Sequence, residues 1–356
     1  MMSPSLASIL SVSALLSPLR PPIARLRVAA PPCCTATEAQ DFIVKRGADG
    51  GLGVLVDQDN TIVTNTAQPE LQVGDVIVGV DGESLSGRPI SECLTPGSPQ
   101  YTFSVVRPSS AEAGESLERV LLQLVREASG DSPKLLCFAD DEDAAARAET
   151  IVEGLESAAA SGGLLPSSEA LGSSLRSGFW RLLLVSEASI ARGGLTSYGL
   201  APYCSVLASF QAFIDLKGEQ TAQVVEVVAN ANLGSATVAA LKGSWKGGDG
   251  AAVDERYDRT EYSGAPEIGA PKIDICSSCT YLSKRLRVIR MPASGDKPGA
   301  WRVYGLMAAD AAQMEIGRLL ELPVAPAARS NEPPDWARRG GGGGGPSAEP
   351  GAMGPM

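Results

Sequence analysis

Two short spacings in the chain hold groups that metals, protons or electrons use. Cys276-Ser277-Ser278-Cys279 places two thiols three residues apart, as in a dithiol redox pair or one half of a zinc site. Asp140-Asp141-Glu142-Asp143 places four carboxylates in a row, which a calcium loop would need together with a glycine and spaced ligands. Neither spacing has its required company. A second Cys-x-x-Cys is missing, as is a strand-to-helix setting of thioredoxin type, so the cysteines read as a structural loop with thiol regulation as the residual chemistry. The acids instead precede a helical run at 144–160 and complement its macrodipole. Histidine is absent from all 356 residues. That removes Ser-His-Asp and Cys-His nucleophile pairs and the usual zinc sites, and no Gly-x-Ser-x-Gly elbow occurs. The expectation is a binding protein and not an enzyme, with no catalytic residue, no metal and no cofactor.

Charge narrows the ligands. With 41 acidic and 30 basic residues the chain carries −11, so on average it repels nucleic acid and anionic head groups. Lipid contact must then be mainly apolar. Seven cysteines, an odd number spread over a long chain, do not make the dense disulfide framework of a small secreted domain. No run of 18 uninterrupted apolar residues is present, which argues against a transmembrane segment and leaves peripheral association with membranes or lipid globules. Met1 to Thr37 contains no Asp or Glu, has six serines before Pro18, and places Arg20, Arg25 and Arg27 after its apolar part. A secretory signal puts its positive charges first, whereas organelle transit peptides are Ser- and Arg-rich and acid-poor. Residues 1–37 therefore read as a chloroplast (plastid) transit peptide, the mitochondrion being the alternative. Arg27-Val28-Ala29-Ala30 resembles a stromal processing site, which implies a mature start near Ala30 and a net charge of −14 once three arginines are lost.

Residues 41–107 alternate as short strands broken by Gly-rich turns, with a Gly-Asp turn, an alternating strand and an Asp-Gly turn over 74–82. The order resembles a PDZ domain along its whole length, with Gly51-Leu52-Gly53-Val54 at the place of the carboxylate-binding loop. That resemblance implies peptide capture at Gly51, Leu52, Gly53 and Val54, where backbone N–H groups converge on a C-terminal carboxylate and the next strand accepts the partner by β-addition. It also puts Ile90 on the first turn of a facing helix, over about 89–94, where it would select an apolar side chain. A PDZ-like module used only for packing is the other reading.

A linker with an amphipathic helix follows over 108–139: Pro108 to Gly114 is Pro/Ser/Ala/Gly-rich, and Leu117, Leu121, Leu124 and Val125 recur at helical spacing over 116–128. After the second helix, 161–177 reads as a loop. Candidate strands then lie at 178–185, 223–228, 236–241, 244–245, 252–261, 272–275, 286–291 and 301–307, with local turns and no crossover helices. Such a series is an antiparallel sheet, and closure into a barrel removes its edges. The alternation puts Trp180, Leu182 and Leu184 on one face, and likewise Leu286 with Val288 and Trp301 with Val303. We expect these to point inward with Phe210, Phe213, Val225 and Val227, either filling a core or lining a cavity, which spacing alone does not separate.

Gly178-x-Trp180-x-Leu182, Ala191-Arg192-Gly193-Gly194, the segment from Phe210 to Asp215 and the segment from Thr280 to Arg290 together resemble the plastid lipid-associated protein (fibrillin) family over about half the chain. Ser283 stands where that family usually has Asp. Gly178-x-Trp180 also resembles the lipocalin signature, implying an arginine over the tryptophan, for which Arg290 and Arg302 are the candidates. Arg192, Arg287 and Arg290 read first as structural, pairing with carboxylates or packing their stems. The whole is expected to be multidomain: a small, mostly β, PDZ-like α/β domain, then an antiparallel lipocalin-like β-barrel with N-terminal helices over 140–322, and a disordered Pro/Gly-rich tail over 323–356. The resemblances imply a non-catalytic protein binding or coating apolar lipid, quinone or carotenoid at plastoglobules, thylakoids or in the stroma. Its PDZ-like module would bind the C-terminus of a plastid protein. The alternative is a peptide-binding adaptor with a purely structural barrel.

Overall fold

In a computed structural model of the chain, the structure describes residues 39–130, 138, 141–163, 165–191, 204–216, 219–230, 234–262, 268–293 and 299–324. The transit-peptide expectation, most of Ala191–Gly194, most of the tail and Asp140 lie outside the described residues.

The first unit is built from β1 (Gln40–Lys45), β2 (Val54–Val56), β3 (Ile62–Asn65), β4 (Val76–Val80), β5 (Glu83–Ser84) and β6 (Gln100–Val106). Four of these form a sheet in the order β1-β6-β4-β5, and β2 pairs with β3. Alternation places Val44, Ile77, Tyr101, Phe103 and Val105 inside, as the period of two requires. Buried Asp75 receives both Nε and Nη2 of Arg107 at 2.8 Å, which pins the end of β6 to the turn before β4. The short helix expected over 89–94 is reduced to a single 3-10 turn, Ile90–Glu92.

Helix α1 (Ser110–Ser129) starts earlier than its periodicity suggests, because Ser109 and Glu112 form a capping box that converts the expected Pro-Ser linker into its first turn. α2 (Glu142–Ser161) is capped by Asp141, whose side chain accepts from the Ala144 N–H. The segment read as a loop contains α3 (Ser168–Leu175), capped by Ser167 and burying Leu171 and Leu175.

The remaining strands are β7 (Phe179–Val185), β8 (Cys204–Leu216), β9 (Glu219–Asn230), β10 (Ser235–Gly247), β11 (Ala252–Tyr262), β12 (Ile268–Leu282), β13 (Leu286–Met291) and β14 (Ala300–Met307), with the short helix α4 (Glu187–Ala191) after β7 and α5 (Ala309–Leu320) after β14. All eight pair antiparallel in a closed ring, β10-β11-β12-β13-β14-β7-β8-β9. The strands expected at 236–241 and 244–245 are one: β10 runs unbroken through Lys242 and Gly243, and the register shift there is a bulge in β11, whose extra residue is Asp258. A Cβ at Gly243 would lie 1.9 Å from the Arg256 carbonyl oxygen, so the close strand approach there requires glycine. β12 likewise extends the expected 272–275 in both directions and absorbs the cysteine pair.

Three apolar clusters surround the barrel wall. One lies on the inside and includes Leu171 and Leu175 of α3. A second joins the outer faces of β7, β12, β13 and β14 to α1, α2 and Val63 of the first unit. The third packs α5, through Ala312 and Leu319, onto the outer faces of β8, β9 and β10. The helix α5 was not anticipated; Ala312, Ile316 and Leu319 are the spacing that marks it.

Candidate functional site

The interior begins at α3, which crosses one end of the barrel. Trp180 at the start of β7 donates from Nε1 to the Leu175 carbonyl, 3.2 Å, and is fully buried. Around it lie Leu182, Val224, Leu241, Trp245 and Val253, with Phe213 edge-on to Trp245 at 5.3 Å between ring centroids. This level is apolar.

Next comes a polar level. Arg287 of β13 is buried, its guanidinium carbon 4.4 Å from the ring centre of Tyr304, 4.9 Å from Trp180 and 5.3 Å from Phe213. Its Nη2 donates to Gln211 Oε1, and Gln211 Nε2 donates in turn to Glu255 Oε2 at 2.6 Å. The same carboxylate oxygen accepts from the Tyr257 hydroxyl at 2.6 Å. Burial pushes the Glu255 carboxyl pKa up, against the opposing pull of Tyr257 and of the Arg287 charge; burial and the adjacent Glu255 also push Tyr257 well above the usual phenol range. Arg302 and Ser189 of α4 are both buried, with Arg302 Nε donating to Ser189 Oγ at 2.7 Å. Ser209 Oγ reaches Glu226 Oε1 at 3.4 Å, and both groups are buried. Arg287 Nε and Trp245 Nε1, buried donors inside the barrel, have no hydrogen-bond partner among the described residues.

The residues predicted to line this interior divide between its two faces. Trp180, Leu182 and Phe213 are inside. Leu184, Leu286, Val288, Trp301 and Val303 are instead on the outer wall beneath α1 and α2, and Phe210, Val225 and Val227 on the outer wall in the α5 cluster. The reasons are geometric. A bulge opposite Val303/Tyr304 shifts the alternation within β7, so that Val185 rather than Leu184 follows Leu182 inward. Phe210 and Phe213 are three apart on one strand and so face opposite ways. On β9, β13 and β14 the charged alternates Glu226, Arg287 and Arg302 occupy the inner or buried positions, because the outer face is covered by helices and is apolar for that reason. The arginine over Trp180 is Arg287, not Arg290 or Arg302. Arg290 lies outside, 2.8 and 2.7 Å from the Glu156 oxygens and 3.1 Å from Glu149.

Ser283 accepts the N–H groups of Arg285 and Leu286 at 3.0 and 2.9 Å, which makes it a turn cap between β12 and β13. The cysteine pair is not a loop: it sits in β12 with Cys276 exposed and Cys279 buried, on opposite faces as an odd separation on a strand dictates. A dithiol centre cannot form from thiols so directed. Burial raises Cys279 to about 11, and a hydrogen bond with Asp254 raises Cys276. Among the described residues no three His, Cys, Asp or Glu side chains converge on a metal position, and no helix is long and apolar enough to cross a membrane.

In the first unit, Gly53 has φ +68° and its absent Cβ would meet Ala67 at 2.3 Å, so the turn into β2 requires glycine. The Gly51 N–H donates to Asp49 Oδ1 at 3.0 Å; the chain's own carboxylate therefore already holds one donor of the expected carboxylate loop. Leu52 and Val54 pack partly buried against the module core. Ile90 is inside that core, its N–H bonded to Asn60 Oδ1 at 2.8 Å, so its side chain packs inward instead of standing on a helix wall. Outside the barrel, a cleft of about 430 Å³ between α2, α4 and β14 is lined by Phe138, Glu149, Ser186, Glu187, Arg290 and Trp301, and the one cation there is already paired.

A scan against protein-family models and a search of curated proteins return no match to this chain.

Proposed function

We propose that the chain is a non-catalytic binding protein whose barrel takes up an apolar, plastid-type lipid, with the PDZ-like first unit recruiting a protein partner. The observation that carries this reading is the cup-like build of the second unit: eight strands in a closed ring, one end crossed by α3, and a fully buried tryptophan at the start of its first strand beneath an arginine. Small closed barrels of this size can hold one ligand. The lipocalin-like Trp180–Arg287 contact and the fibrillin-like segments favour the same reading. The apolar level around Trp245 and Val253 suits a prenyl or acyl chain, held at ~25 cal/mol per Å² of buried apolar surface without any charged contact. The acid-free first 37 residues favour import into a plastid.

Native mass spectrometry of the full chain after incubation with a plastid lipid extract tests this. Retention of one lipid per chain is expected. A chain that emerges with no added mass would leave only a peptide-binding adaptor. That second reading has one specific observation in its favour, the glycine-dictated turn at Gly53 beside β2, which among the described residues pairs with β3 alone.

A further inference from the structure

We infer that the barrel's ligand is an acidic amphiphile, a hydrocarbon chain ending in a carboxylate that binds Arg287; this rests on the cup reading above. A guanidinium taken out of water needs a counter-charge or a full set of acceptors. Other arginines of the barrel domain have theirs: Arg181 pairs with Glu315 at 2.7 Å, Arg285 with Glu118 at 2.5 Å and Arg290 with Glu156 at 2.7 Å. Arg287 is 2 % exposed, yet its hydrogen bond is to the neutral amide oxygen of Gln211 and it makes no ion pair with a described carboxylate. Glu255 is near enough to feel its charge but spends its Oε2 on Gln211 and Tyr257.

The three aromatic rings around Arg287 stabilise a cation through their faces and accept no hydrogen bond in its plane. Among the described residues Nε is left with none. An in-plane guanidinium donor is what a carboxylate oxygen fits, in a charge-assisted bond roughly twice as strong as a neutral one. The rest of the inner wall suits the rest of such a molecule. Leu182, Val224, Leu241 and Val253 offer apolar contact to a chain, and Trp245 Nε1 is a second buried donor without a partner among the described residues. An alcohol or a hydrocarbon would bring no counter-charge to Arg287 Nε.

The test is a titration of the delipidated full chain at pH 8 with oleate and, separately, with oleyl alcohol of the same length, read by tryptophan emission. Oleate is expected to bind tighter by about tenfold or more, the scale of one charge-assisted hydrogen bond. Arg287→Met is expected to bring the ratio close to one while alcohol binding persists, and Arg287→Lys to keep part of the preference. Equal affinities in the unaltered protein, or tighter alcohol binding, would overturn this inference and leave the cup reading standing. Binding of neither ligand would overturn both. The unaltered protein decides the question by itself, whether or not Arg287→Met folds.

Discussion

Glu255 uses a single oxygen, Oε2, for both of its short hydrogen bonds, from Tyr257 and from Gln211, and that geometry makes its charge testable. Its folded-state pKa is raised, chiefly by burial, so the native protein binds more protons than the unfolded chain above pH 4.5. Stability must then fall as pH rises from 4.5 through the folded pKa, and level off beyond it. The amide oxygen of Gln can accept the same two bonds without a charge. Glu255→Gln is therefore expected to flatten this part of the pH profile and to stabilise the protein at pH 8 more than at pH 4.5. Urea denaturation at the two pH values checks this; an equal shift at both would contradict the assignment. The two thiols of β12 make a second residue-scale case. Cys276 faces solvent, whereas Cys279 is enclosed and held at about 11, so iodoacetamide applied to the folded protein should mark Cys276 and spare Cys279. Peptide mapping would reverse this account if it found a Cys276–Cys279 disulfide.

At the scale of elements, α1 links the two units instead of merely spanning them. Leu117, Leu121 and Leu124 share one cluster with Val63 of β3 and with Leu184, Val288 and Val303 of the barrel, and Glu118 accepts from Tyr281 and Arg285 at 3.2 and 2.5 Å. Leu121→Ala should cost about 2–5 kcal/mol by denaturant unfolding, the usual range for emptying a fully buried leucine position. A loss under 1 kcal/mol, the scale of a surface change, would mean that α1 is peripheral. From 219 onward strand existence and the antiparallel order were legible in the sequence, since Gly/Asp/Ser turns separate runs of β-branched residues, whereas β8 (Cys204–Leu216) was not among the expected strands. The facing was not. Hydrophobic alternation names the buried face only when the other face is wet, and here helices cover much of the outer wall. Val225 and Val227 thus read as lumen when they are the seat of α5, and Arg287 read as an ordinary structural arginine when it sits at the centre of the barrel. Bulges in β7, β11 and β12 move the alternation by one residue, a step no period of two reveals.

The whole molecule is held by that shared cluster together with ion pairs such as Arg119–Asp59, 3.0 Å, between α1 and the first unit. A chain starting at residue 140 would lose the α1 leucines from the barrel's outer wall. It should therefore unfold at lower denaturant than Leu121→Ala, and a midpoint equal to that of the unaltered chain would show that the barrel stands without α1. The central claim is that a lipid enters the barrel and does not coat its outside. Tryptophan separates the two: Trp180 and Trp245 are within, while Trp301 is under α1 and α2. The most direct measurement is quenching by a brominated fatty acid in single-tryptophan variants of the full chain, one retaining Trp245 and one retaining Trp301. The account predicts that Trp245 emission falls steeply and saturates with one bound acid, while Trp301 emission is unchanged. Quenching confined to Trp301, or of equal depth at both, would contradict it.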